Sequence, residues 1–289
     1  MRKTIILAAA TLFLAAGCKE NDEKLADRHL DNAMEAFKMA QYSLAKQEID
    51  SIRILYPKAF EARKKGIVLL QEIEVAEQIR TIEYEDSMIA LARSGFEAIK
   101  ADFMFEKDEE YQDIGYYTIQ SQNPLRNIDR NYIRGQVDEL GRMTLVSHYR
   151  GNSYIHHDQV RLNVGQVYVE TPESDVRHEF TDLGVCYERL SFINGNDGGA
   201  AAFIRNNQDK EITYTLYRKT GPDSRKSVLE NLRLGKEDRI AIAKLYDLSK
   251  ALLSLNEHLN IRNEAERHLQ FIRSRMKESS TQDAVQENQ

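Results

Sequence analysis

Apolar side chains recur every seven residues at Val68, Val75, Ile82, Ile89, Phe96 and Phe103, with Ala92 and Ile99 supplying the second seam position. A repeat sustained this long specifies one helix with a continuous apolar stripe, and the stripe must face something other than water. Near the other end of the chain, Ala241, Leu245, Leu248, Leu252, Leu255 and Leu259 form a stricter three-four seam on a helix starting near Lys236. The simplest internal partner for each stripe is the other, as an antiparallel pair. Gln71, Gln78 and Glu85 dilute the early second positions, and an intermolecular coiled coil is the competing arrangement.

From Lys24 to Glu106 only Pro57, Gly66 and Gly95 interrupt helical spacing. The pattern then changes to period two. Ile114 to Ile119, Tyr132 to Val137, Met143 to Tyr149, Val160 to Val164, Val167 to Val169, Val185 to Phe192 and Ile212 to Tyr217 read as strands. Asn123-Pro124, Leu140-Gly141, Gly151-Asn152 and the run Asn194 to Gly199 mark turns between them. The expected class is α+β: an N-terminal helical hairpin and a long antiparallel helix pair, with an antiparallel β sandwich or small barrel inserted at the far end of the helical stalk. The expected boundaries are 24–109 for hairpin and long helix, 110–220 for the β domain, 221–276 for C-terminal helices packing on the long helix, and 277–289 for a disordered polar tail. Phe203 and Ile204 fit either a strand or a turn of helix.

The leader, residues 1–17, carries Arg2 and Lys3, an apolar run from Ile5 to Leu14, and then Ala15, Ala16 and Gly17 before Cys18, which is the layout of a signal peptide. The run is about half the roughly 20 residues a membrane-spanning helix needs. Leu14-Ala15-Ala16-Gly17-Cys18 resembles the lipobox of bacterial lipoproteins, with Ala15 where that family prefers a larger aliphatic residue. The resemblance implies lipidation of Cys18, cleavage before it, and attachment to a membrane through the lipid. Residues 18–23 form the lipidated cysteine and tether. Lys19, where an Asp retains many lipoproteins in the inner membrane, points to the outer membrane, and Lys19 to Glu23 is similar to the surface-export signal of Bacteroidota lipoproteins. Asn21 interrupts the acidic residues, so the periplasmic and the cell-surface faces both stay open.

Ala40-Gln41-Tyr42-Ser43-Leu44-Ala45, followed by Ile49, Ile52, Tyr56, Pro57, Ala59 and Ala62, resembles a tetratricopeptide repeat. The resemblance covers one repeat of about 34 residues, whereas stacked repeats need about three for stability. A single hairpin of this kind therefore leans on another element.

A formal charge of −6, made two units lower by loss of Arg2 and Lys3, argues against a nucleic-acid partner, because phosphate binding needs clustered Lys and Arg. After lipidation Cys186 alone remains, so the mature chain forms no internal disulfide. It lies in the apolar run Leu183 to Leu190 and reads as a buried, inert thiol.

Four of the seven histidines, His148, His156, His157 and His178, fall in the β segment near Asp158, Glu179 and Asp182 and are the weak candidates for a metal site. Adjacent His156 and His157 on a strand would point to opposite faces, which speaks against it. The acidic run Glu106 to Asp113 lacks the alternating ligands and central Gly of a calcium loop, and the run Asn194 to Gly199 lacks the spacing of a phosphate or dinucleotide loop. No nucleophile elbow or His-Glu-x-x-His helix is present, so no catalytic residue and no cofactor is expected. The leading expectation is a non-enzymatic scaffold binding another envelope protein. The alternatives are glycan or small-ligand binding through a platform of Tyr116, Tyr117, Tyr149, Tyr154 and Tyr168, and a metal-dependent hydrolase.

Overall fold

The computed structural model describes residues 22–220 and 225–286. The leader, Cys18 and the tether up to residue 21 lie outside the described residues. The chain is α+β and divides into two compact units, one of residues up to Ser87 together with those from Leu259 onward, the other Met88–His258. No helix among the described residues is long and apolar enough to cross a membrane.

The first unit is helical. Helix α1 covers residues 22–38, α2 is Tyr42–Leu55, and the 41-residue α3, Phe60–Lys100, begins here. Alanines let these helices approach closely: Ala26, Leu30, Ala33 and Ala36 of α1 pack with Ala45, Ile49 and Ile52 of α2 and with Ala62, Leu69 and Ile73 of α3. Helix α1 ends at Ala40 in the left-handed region, with Gln41 N–H donating to Ala36 O and Ala40 N–H to Phe37 O. This pair of bonds satisfies carbonyls that a helix end otherwise leaves open. Pro57 breaks the chain between α2 and α3. At the start of α3 the Ala62 amide donates to Glu23 Oε1 at 2.9 Å, so α1 caps a neighbouring helix.

The heptad reading needs a correction in this unit. The buried stripe of α3 is Ala62, Gly66, Leu69 and Ile73, whereas Val68 is 47% exposed. Here α3 faces α1 and α2, so its contact positions follow that hairpin. From Ile82 to Phe103 the expected seam is the less exposed face, with Ile89 and Phe96 buried. The long helix α5, Lys236–Gln286, buries Ala265, Leu269 and Ile272 in the first unit, where Arg262 pairs with Asp86 of α3 at 2.9 Å. It runs through most of the polar stretch 277–289 for which composition suggests a disordered tail.

Among its described residues the second unit holds ten strands: β1 Met104–Glu106, β2 Tyr116–Thr118, β3 Tyr132–Asp138, β4 Met143–Gly151, β5 Gln159–Val164, β6 Val167–Glu170, β7 Val176–Asp182, β8 Val185–Phe192, β9 Thr213–Thr220 and β10 Arg225–Arg233. They form two antiparallel sheets, ordered β1-β2-β3-β4-β8-β7 and β10-β9-β5-β6. Inward residues of both sheets share one core: Leu145, Tyr149 and Leu190 from the first, Val160, Leu162 and Leu216 from the second. Phe96 of α3 and Leu245, Leu248 and Leu252 of α5 close the same core.

All seven strands expected from alternation are present; three more are not visible in it. Strand β1 is three residues long, and β7 is a largely exposed edge whose charged residues guard an unpaired border. Strand β10 falls where C-terminal helices are expected; a bulge between Val228 and Glu230 breaks its period of two. Between β7 and β8, Leu183 and Gly184 both have positive φ, the requirement of a tight two-residue hairpin turn. Phe203 and Ile204 lie in a short helix α4, Ala200–Asn206, started by the Asp197 carboxylate accepting from the amides of Gly199 and Ala201. That is the role of the Gly-rich run: a turn and a helix start.

Candidate functional site

The structure brings together two of the four candidate histidines, and it does so in a loop. Residues 152–158 carry the chain from β4 in one sheet to β5 in the other. His156 takes φ of 52° there, and this left-handed twist aims three successive amides at one carboxylate. Glu188 of β8 accepts from the amides of Ile155 at 2.5 Å, His156 at 2.7 Å and His157 at 3.2 Å. It also bonds the His157 ring, Nδ1 to Oε2, at 2.7 Å. The second ring nitrogen of His157 lies 3.2 Å from Ser147 Oγ on β4.

Burial alone would raise the Glu188 pKa, but the His157 hydrogen bond and the amides of His156 and Ile155 together outweigh it and hold the group below the usual carboxylate range. An ionised Glu188 can only accept, so His157 Nδ1–H is the donor, and in the neutral ring Nε2 is the acceptor for the Ser147 hydroxyl. Hydroxyl, imidazole and carboxylate thus stand in the order of a base-activated nucleophile. Acyl transfer asks for more: a reachable hydroxyl and donors aimed at a developing oxyanion. Ser147, His157 and Glu188 are 1%, 0% and 0% exposed, and the nearby amides are already committed to Glu188. In this conformation the relay braces the crossing between sheets.

His156, Glu179 and Glu188 place one ligand atom each within 4.8 Å of one another. The donor chemistry fits a metal poorly. His156 Nδ1 is 3.0 Å from Glu179, the Arg177 guanidinium is 3.7 Å from the same carboxylate, and Glu188 already accepts from four protein groups. A bound cation would displace amides and sit beside an arginine.

The other two candidates lie elsewhere. His148 is on the opposite face of β4 from Ser147, between the rings of Tyr132 and Tyr187, and is 4% exposed. Burial first, then Arg189, lowers its pKa to about 4, so it is neutral at physiological pH. His178 is exposed on β7 beside Phe180. The five tyrosines likewise form no single platform. Tyr149 is in the core, Tyr117 packs against it, Tyr154 stacks on His156, Tyr168 stacks under Arg161 in the other sheet, and Tyr116 alone lines a cavity. Cys186 is half-buried on β8, its Sγ 3.8 Å from Thr181 Oγ1.

The helical unit offers an open site. Helices α2 and α3 leave an apolar groove of about 270 Å³, its floor made by Ile49, Ile52, Ile67 and Leu70 with the bare backbone of Gly66 between them. Ile67 is 57% exposed, although Ile52 beneath it is fully buried. Asp50, Arg53 and Arg63 stand at the rim, Arg53 paired with Asp50 at 3.1 Å and Arg63 donating to Pro57 O at 2.8 Å. Ile49 and Ile52 belong to the stretch that resembles a tetratricopeptide repeat, but the groove is not legible there, because it exists only once Pro57 has turned α3 back along α2.

No protein-family model, curated protein or solved structure matches the chain.

Proposed function

We propose that this chain is a lipid-anchored lipoprotein of the outer membrane that acts as a non-enzymatic scaffold, holding an amphipathic helix of another envelope protein in the groove between α2 and α3. The observation that carries this reading is the groove itself: an apolar floor left open between two helices, with a charged rim. Ile54, Leu55 and Phe60 are further large apolar side chains exposed on α2 and α3. The likeness of the hairpin to one tetratricopeptide repeat supports a helix as occupant, since in a stack a further helix would cover this part of the repeat. A guest helix would present apolar side chains at three- and four-residue spacing to the floor and an acidic residue to Arg63, since Arg53 is already paired with Asp50. Each large apolar side chain so buried contributes about 1.5–3 kcal/mol, so two or three anchors give a stable complex. The lipobox-like segment ending at Cys18 and the Lys19 that follows supply the address.

Ile67→Glu tests the groove, because at 57% exposure the fold tolerates the charge while the apolar face of a guest helix does not. Stoichiometric co-purification of a partner from detergent-solubilised envelopes should be lost, with the circular-dichroism melting curve unchanged. A wild-type chain that brings down no stoichiometric partner, or a partner equally retained by Ile67→Glu, removes the reading. Cys18→Ala should shift the chain from the membrane to the soluble fraction.

A further inference from the structure

The outward face of the six-stranded sheet carries a second site, unrelated to the helical groove. Strand register places Met104 and Glu106 of β1, Tyr116 and Thr118 of β2, and Arg134 and Gln136 of β3 on one face. Over them a turn of 3-10 helix, Gln120–Gln122, forms one wall. Its position is fixed by Gln122, whose buried amide donates from Nε2 to Ile133 O at 3.1 Å and accepts at Oε1 from Gly135 N–H at 2.9 Å. The side-chain amide stands in for the peptide of a neighbouring strand along the part of β3 that β2 leaves unpaired. The result is a cavity of about 430 Å³ with a chiefly polar lining, within the size range of small-ligand pockets.

Arg134 lines this cavity. Its guanidinium donates to Gln136 Oε1 at 3.0 Å, and among the described residues no carboxylate lies within ion-pair distance of it. Burial lowers its pKa from the ordinary arginine value, and neighbouring Arg189 acts in the same direction. Arg189 lies on the same sheet face, stacked over Phe180, and also forms no ion pair among the described residues. A partly desolvated guanidinium without a counter-charge is costly, and folds that keep one generally give it an anion. Glu106, in the same cavity, accepts from Thr118 Oγ1 at 3.3 Å and is the acidic group that Arg134 feels electrostatically. One lining cation and one lining anion suit a ligand with both characters.

We propose that this cavity binds a small organic acid, its carboxylate held by Arg134 and a hydroxyl or ammonium group donating to Glu106. A bidentate carboxylate completes the planar fork of Arg134, while Gln112, Tyr116 and Gln136 add polar contacts around the remainder. A sugar acid and an amino acid share this chemistry.

Isothermal titration of the mature full-length chain with galacturonate, glutamate, neutral galactose and inorganic phosphate decides it. At least one of the two acids should bind one to one, galactose should not, and which acid binds identifies the source. Arg134→Gln should weaken that binding about tenfold or more while leaving the melting temperature equal to or above that of wild type, since an unpaired, partly desolvated charge is removed. Glu106→Gln should weaken the amino acid more than the sugar acid, because an ammonium loses a full ion pair. Failure of both acids to bind overturns the proposal. So does binding indifferent to Arg134→Gln, phosphate binding as tightly as the acids, or a lowered melting temperature for Arg134→Gln, which marks the arginine as a structural group.

Discussion

Replacing Glu188 with Ala leaves four donors facing an empty space: the amides of Ile155, His156 and His157, and the His157 ring. Each hydrogen bond to a charged acceptor contributes about 1.5–3 kcal/mol, yet the four do not add, because the loop can move outward and admit water once the carboxylate is gone. Breaking one side of a buried, hydrogen-bonded charge pair typically costs about 3–5 kcal/mol, and Glu188 at 0% exposure belongs in that range. Glu188→Gln keeps the shape and one acceptor oxygen, so the cost falls to about 2 kcal/mol. Hydrogen exchange is the sharper assay, since it reads the loop directly: protection at the amides of 155–157 should disappear in Glu188→Ala, and the urea midpoint should fall. The pH dependence carries a sign. Because Glu188 titrates below the ordinary glutamate value of 4.5, its contribution is complete above that pH and is lost as the pH falls through the folded-state value. Glu188→Gln should flatten this acid limb. If Glu188→Ala costs less than about 1 kcal/mol with protection at 155–157 unchanged, the relay is no brace and the argument fails.

His148, neutral down to about pH 4 when folded, takes up a proton near its ordinary value of 6.5 when unfolded, so stability should drop by about 2 kcal/mol between pH 7 and pH 5. Urea titrations of His148→Phe should lack that part of the drop. Gly141 has φ of +85°, and a Cβ there would meet Leu253 N at 2.5 Å; Gly141→Ala should therefore cost more in thermal unfolding than Gly165→Ala, where φ is +59° but space is open and only the left-handed backbone penalty of about 1 kcal/mol applies. Ile73→Ala should destabilise the helical unit by about 2–4 kcal/mol and Val68→Ala by under about 1, as read by local hydrogen exchange; equal effects would restore the seam through Val68.

Hydrophobic period exposes elements whose surroundings are uniform along their length. Strands β3, β4 and β8 each lie between two neighbours, so Tyr132–Asp138, Met143–Gly151 and Val185–Phe192 are legible nearly to the residue. Strand β7 is invisible because an exposed edge selects charge over alternation, and β10 because a bulge shifts its parity. Helix α3 changes partner along its length, and one seven-residue register fits only the second of its two environments. At the sites the loss is greater. Histidine count drew attention to His148 and His178, which join no cluster, while the group that organises His156 and His157 is Glu188, 31 residues further along the chain. Nothing local to Tyr187-Glu188-Arg189 separates a buried acceptor from an outward-facing charge; the pairing of β4 with β8 makes that distinction.

Buried charge in the β unit obeys one rule with two outcomes. Glu188 is fully enclosed and fully answered, by three amides and an imidazole, and Asp238 of α5 is answered by both arms of Arg130 at 2.6 and 2.7 Å. Charges answered in this way leave nothing for an outside molecule to gain, which is why a hydroxyl–imidazole–carboxylate order does not by itself make a reactive centre. Arg134 is the converse case, a drawn-in guanidinium whose own chain supplies only a neutral amide oxygen. The chain as a whole carries a surplus of acidic groups, and a fold seeking only stability had carboxylates to place beside Arg134 and Arg189. Leaving Arg134 without a carboxylate partner keeps a guanidinium available at the cavity, and with Glu106 as the lining anion beside it the site favours a small molecule that carries both signs over a simple anion.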